Sequence, residues 1–147
     1  MATTRVQKEC ELWIANHWLP NNHGQAFSEQ RIQMQDRGSF DFDVVSQDGA
    51  IIGNISTATA RTYRGQIASG KKSKLRADCL MLSLVKAQLK LMLLTEECMY
   101  DFAIHEQKNG RLPLDVQLVH VSLPHELSIR LATARNTASE EVRGRSA

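Results

Sequence analysis

The sequence predicts a three-layer α/β domain, with a mixed sheet of about five strands held between helices. Three observations carry this. Phe40 to Ser46 alternates strictly and meets a second strand-like run, Ala50 to Thr57, across Gln47-Asp48-Gly49. The Asp-Gly pair supplies the positive φ that a tight reversal needs. Leu89 to Thr95 (Leu-Lys-Leu-Met-Leu-Leu-Thr) is a short, nearly continuous apolar run that follows a helical pattern, the signature of a buried parallel strand. Helical periodicity then recurs on both sides of one more alternating run, Val116 to Leu123.

Taken in order, residues 4 to 19 repeat Val6, Cys10, Trp13, Ile14 and His17 at helical spacing. Thr3 or Thr4 can cap this helix, with Gln7 completing a loose capping box, and Pro20-Asn21-Asn22 is expected to end it. Phe27 to Met34 reads as a strand, broken by Asp36-Arg37-Gly38. Alternation in the next strand puts Phe40, Phe42 and Val44 on one face and Asp41, Asp43 and Val45 on the other. Residues 58 to 72 have little apolar pattern and are expected to form an exposed loop. Ser73 can cap a helix from Lys74 to about Ala87, whose stripe is Leu75, Cys79, Leu82, Val85 and Leu89. A further helix is predicted over 96 to 107, closed by Lys108-Asn109-Gly110, and a last one over 125 to 138 after Pro124. Residues 140 to 147 read as a polar, fraying tail. The hairpin strands form an antiparallel meander, and the later β-α-β steps demand parallel crossovers.

The 147 residues fit a single domain, 1 to 147, with 42% apolar and 23% charged residues. No apolar run approaches the roughly 20 residues of a membrane span, and the start of the chain lacks a signal-peptide core, so a cytoplasmic protein with no membrane partner is expected. Cys10, Cys79 and Cys98 lie far apart in apolar helical contexts and read as buried free thiols. His17, His23, His105, His120 and His125 show no metal-ligand spacing. The phosphate-binding and nucleophile-elbow motifs GxxxxGK[ST], GxGxxG and GxSxG are absent.

Net charge is only +2, but its distribution is uneven. Between Asp48 and Asp78 there is no acidic residue, while Arg61, Arg64, Lys71, Lys72, Lys74 and Arg76 all fall there. These are candidate contacts to DNA or RNA phosphates. Four such contacts would give a salt slope of about −3.6 on duplex DNA. Tyr63 could stack on an unpaired base.

The element order and the hairpin Phe40-Asp41-Phe42-Asp43-Val44-Val45-Ser46-Gln47-Asp48-Gly49-Ala50-Ile51-Ile52-Gly53-Asn54-Ile55-Ser56-Thr57, followed by Lys74-Leu75-Arg76-Ala77-Asp78-Cys79-Leu80, resemble the PD-(D/E)xK nuclease superfamily. The resemblance implies a restriction-endonuclease-like core. It also implies a site in which carboxylates on adjacent strands hold Mg²⁺ or Mn²⁺ while a lysine orients water. Asp43 matches the first carboxylate, with Asp41 nearby as a second metal-side candidate. The second carboxylate of the family falls at Asn54 and its lysine at Ser56, so the motif is degenerate. The resemblance therefore implies a catalytically impaired domain that needs no cofactor and binds nucleic acid or a protein partner. A second possibility is an active metal-dependent nuclease using Asp43, Glu11 and a relocated Lys74. A third is a scaffold or homo-oligomeric assembly protein, its apolar helices packed against another subunit.

Overall fold

The computed structural model describes residues 2–34, 36, 38–61 and 68–146, with the backbone alone for 2–3 and 139–146. Its elements run α1 (Ala2–Trp13), a π-helical segment (Ile14–Trp18), α2 (Leu19–His23), β1 (Phe27–Met34), β2 (Gly38–Ser46), β3 (Ile51–Ser56), α3 (Ser69–Leu84), β4 (Leu89–Leu94), α4 (Glu97–Lys108), β5 (Gln117–His120) and α5 (His125–Ser146). The sheet order follows the chain, β1-β2-β3-β4-β5. The β1–β2 and β2–β3 pairs are antiparallel and the β3–β4 and β4–β5 pairs are parallel. The predicted three-layer α/β class with a five-stranded mixed sheet is the class observed.

Each face of the sheet has its own core. On one, Leu75, Cys79 and Leu82 of α3 and Met99 and Ala103 of α4 cover Phe42, Val45, Ile52, Met92 and Leu94. On the other, Ile14 and Leu19 cover Val44, Ile55, Leu91 and Leu93, and α1 packs on α5 through Val6, Cys10, Leu131 and Ala134. Successive residues of β4 from Leu91 to Leu94 thus enter opposite cores, which is why that run is apolar without a break. Gly53 lies where β2, β3 and β4 are closest: a Cβ there would stand 3.0 Å from both the Leu91 carbonyl oxygen and Val44 Cγ2.

Several boundaries differ from the sequence expectation. The first helix does not stop at Pro20. The widened π turn, in which the Leu19 N–H reaches back to the Ile14 carbonyl, leads into a further helical turn that contains Pro20. Gly24, at φ 69°, then ends the helix. Helix α3 begins at Ser69 rather than Lys74, so Ser73 is an interior residue and Ala68 takes the cap position without a side-chain bond. Strand β5 is shorter than predicted because its pairing ends at Leu94↔His120, the end of β4. The expected tail continues α5 to Ser146; no glycine or proline interrupts His125 to Arg143. Cys98 is exposed, not buried, because it lies in the first turn of α4 with Sγ accepting the Ala60 N–H at 3.3 Å. Cys10 and Cys79 are buried as expected, and burial pushes their thiols to about 11 and about 12.

The most consequential difference is in β2. Ser28 pairs with Val45 and Gln30 with Phe42, so two steps along β1 are matched by three along β2. A β-bulge at Asp43-Val44 accounts for the extra residue. Strict alternation is lost there: Phe42 and Val45 enter the same core and Val44 the opposite one.

Candidate functional site

The bulge sits where β2 leaves β3. The β2–β3 ladder consists of Val44↔Gly53 and Val45↔Ile52, although β3 continues to Ser56. Past that point side chains replace the ladder. The Asp43 backbone N–H donates to Asn54 Oδ1 at 3.3 Å, and the Ile55 N–H donates to Asp43 Oδ2 at 2.8 Å. Asp43 and Asn54 thus interlock across a fork between the strands.

Two helices close the fork. From α3, the Asp78 carbonyl accepts a hydrogen bond from Asn54 Nδ2 at 3.3 Å, and the Asp78 carboxylate accepts one from Lys74 Nζ at 3.0 Å. From α1, Glu11 lies close enough to interact electrostatically with Asp43, Lys8 and Lys74. Desolvation raises the pKa of all three carboxyls. For Glu11 the next cause is the charge on Asp43. For Asp43 the Ile55 hydrogen bond opposes the shift and Asp78 adds to it. For Asp78 the Lys74 ammonium opposes it.

Of the sequence candidates, Asp43, Asn54, Glu11 and Lys74 are therefore brought to one place. Ser56 follows two residues after Asn54 on β3, and its Oγ accepts the Ala58 N–H at 3.3 Å. Asp41 is held elsewhere: Arg31, its cross-strand partner, grips it with bonds of 2.8 and 3.1 Å on the exposed β1–β2 ribbon. Asp78, within the Lys74-to-Leu80 segment, joins the site through structure rather than as a sequence candidate. Its i,i+4 spacing from Lys74 was the available signal.

The donor set fits a hard divalent cation poorly. Asn54 is 2% exposed, its oxygen already accepts one hydrogen bond, and its nitrogen is spent on Asp78. That leaves Asp43 as the only carboxylate of the two strand positions, where such a cation is held by anionic oxygens.

The predicted basic segment divides in the structure. Lys74 is paired with Asp78. Arg76 reaches the buried Glu106 at 3.3 Å and lies over the Phe102 ring, which Lys72 also covers at 4.3 Å. Arg61 is exposed just after the Thr59 turn, whose hydroxyl donates to the Arg61 carbonyl at 2.8 Å. Arg64 and Tyr63 lie outside the described residues. Lys71 has no carboxylate partner among the described residues; desolvation and then the charge on Arg135 lower its pKa.

Asp43→Asn is expected to stabilise the domain at pH 7 by about 1 kcal/mol, the size usual for relieving an unfavourable charge. The amide can still accept the Ile55 N–H. A carboxyl whose folded pKa is raised penalises the fold above that pKa and not below its ordinary value. The gain should therefore fade as pH falls into the carboxylate range. Urea unfolding of both proteins at pH 7 and pH 3.5 measures it, and a loss of stability at pH 7 contradicts the assignment. No family model matches the chain, no curated protein matches it, and no solved structure matches it.

Proposed function

We propose that this chain is a catalytically impaired domain of the PD-(D/E)xK nuclease type that binds nucleic acid. The observation that carries the reading is the Asn54 amide. It occupies the position of the second metal-binding carboxylate, yet its nitrogen donates to the Asp78 carbonyl, a bond that an ionised carboxylate cannot make. The neutral residue is thus built into the fork, and the charge needed to hold Mg²⁺ or Mn²⁺ has been exchanged for a structural hydrogen bond. Lysines in and just before the fork, together with Arg61, supply positive charge for a phosphate backbone.

One observation favours a second reading, an active nuclease with relocated residues: Glu11, Asp43 and Lys74 share the fork with Asp78. Plasmid and single-stranded DNA incubated with the protein and Mg²⁺ or Mn²⁺ separate the two. The proposal expects both substrates intact and salt-sensitive retention of the protein on DNA. Cleavage that disappears in Asp43→Ala establishes the second reading instead. Intact DNA without retention overturns both and leaves a protein-assembly role.

A further inference from the structure

We infer that the outer edge of β1 is a self-association surface whose partner is a second copy of this chain, joined antiparallel about a twofold axis at Gln30. β1 is the first strand of the sheet and, among the described residues, pairs with β2 alone. Alternate residues of such a strand turn their N–H and C=O groups away from the sheet. The Gln47 N–H donates to the Ala26 carbonyl at 2.9 Å beside the Phe27↔Ser46 pair, which sets the phase: Phe27, Glu29, Arg31 and Gln33 turn theirs outward. Ser28, Glu29, Gln30, Arg31 and Gln33 are all exposed. Proteins commonly guard an edge with a proline, a lysine or a bulge in the edge strand. Phe27 to Met34 contains no proline and no lysine, and the extra residue of the β1–β2 bulge belongs to β2.

Charge decides the register. In an antiparallel twofold pair, outward-turned residues face outward-turned residues, so Glu29 can oppose Glu29, Arg31 or Gln33 of the second copy. An axis at Glu29 sets two carboxylates face to face and an axis at Arg31 two guanidiniums, and like charges directly opposite are destabilising. An axis at Gln30 instead sets Glu29 of each copy against Arg31 of the other. Both side chains have room for this. Glu29 is 61% exposed, with Lys8 Nζ 3.6 Å away. Arg31 is 70% exposed and holds Asp41 through Nε and Nη2, which leaves Nη1 for a second carboxylate. The pairing joins the existing ion pairs into a row, Lys8–Glu29 of one copy with Arg31–Asp41 of the other, and repeats it across the axis. That axis stands perpendicular to the sheet, so like faces of the two copies lie on the same side. Lys8 is also 4.0 Å from Glu11, which places both forks on one side of a continuous sheet.

Sedimentation equilibrium of the parent from about 10 μM to about 1 mM should show a reversible monomer–dimer equilibrium, weak because a single strand pair buries little area. Glu29→Lys and Arg31→Glu each oppose like charges twice per dimer and should weaken it about ten-fold. An equimolar mixture of these two variants should recover the dimer. In that pairing the introduced lysine meets the introduced glutamate, and the native Arg31 meets the native Glu29. Gln30→Lys places two ammonium groups at the axis without removing an ion pair, and should also weaken the dimer about ten-fold. It keeps the test sharp if losing the Asp41 pair unfolds Arg31→Glu, which thermal unfolding of each variant reveals. A parent that stays monomeric overturns the proposal, as do species larger than a dimer, since two β1 edges close the assembly. Variants that dimerise as the parent does, or a mixture of folded variants that fails to recover, overturn it equally. The nucleic-acid reading is untouched by any of these outcomes, because DNA does not enter the measurement.

Discussion

Asn54→Asp should lower the stability of the domain by about 3 kcal/mol at pH 7. The substitution is nearly isosteric, so the effect is one of charge and hydrogen bonding. The donor to the Asp78 carbonyl is lost, leaving two oxygens facing each other. A negative charge also enters a position 2% exposed, beside Asp43 and Asp78, whose own carboxyls are already desolvated. The new carboxyl would have a folded pKa above its unfolded value, so the defect is present above that pKa and disappears below the ordinary carboxylate range, where the protonated group can again donate to Asp78. Urea unfolding at pH 7 and pH 3.5 reads both ends. A change below about 0.5 kcal/mol at pH 7 would show that the Asn54 amide has no structural role. Millimolar Mg²⁺ or Mn²⁺ adds a functional dimension. If the fork descends from a metal site, the ion should recover part of the lost stability in Asn54→Asp and leave the parent unchanged, since a ligand stabilises only the state that binds it.

Phe42→Ala should cost about 4 kcal/mol, the usual loss for emptying a fully buried aromatic position. Phe42 is 0% exposed and packs edge-on against Phe40 with ring centroids 4.9 Å apart. The bulge makes a sharper statement than the size of the loss. Regular alternation would put Phe42 with Val44; the register shift puts it with Val45, in the core beneath α3 and α4. Double-mutant cycles should therefore show stronger coupling of Phe42→Ala to Val45→Ala than to Val44→Ala, by 0.5 kcal/mol or more. The reverse order would mean that β2 is an unbulged strand, and the placement of Asp43 in the fork would fall with it.

Local signals in the sequence account for most of the elements. The Asp48-Gly49 reversal, the apolar run of β4 and the helical stripe of α3 each encode one short-range preference, and each appears near its predicted place. Expectations failed where a distant partner or an unusual turn overrides the local signal. Pro20 looks like a terminator until a π turn supplies the extra residue that lets the helix continue. Cys98 looks apolar until the end of β3 leaves its thiol at the surface against Ala60.

The candidate site divides along the same line. Asp43, Asn54, Ser56 and Lys74 stand out through resemblance to a nuclease motif, and the hairpin register explains why Asp43 and Asn54 then meet, while Asp78 enters the site through its i,i+4 pairing with Lys74. Glu11, Arg135 and Glu96 reach their places through contacts between separate elements; Arg135 and Thr57 are 78 residues apart. The run of Arg61, Arg64, Lys71, Lys72, Lys74 and Arg76 reads as one basic patch, yet packing turns Lys72 and Arg76 onto α4 and Lys74 onto Asp78. By itself the sequence determined the layer order, the strand pairing around Asp48-Gly49 and the neutral amide at position 54. Only the tertiary structure decided where each charge is spent, because ion pairing and desolvation depend on distances between elements, which residue order does not contain.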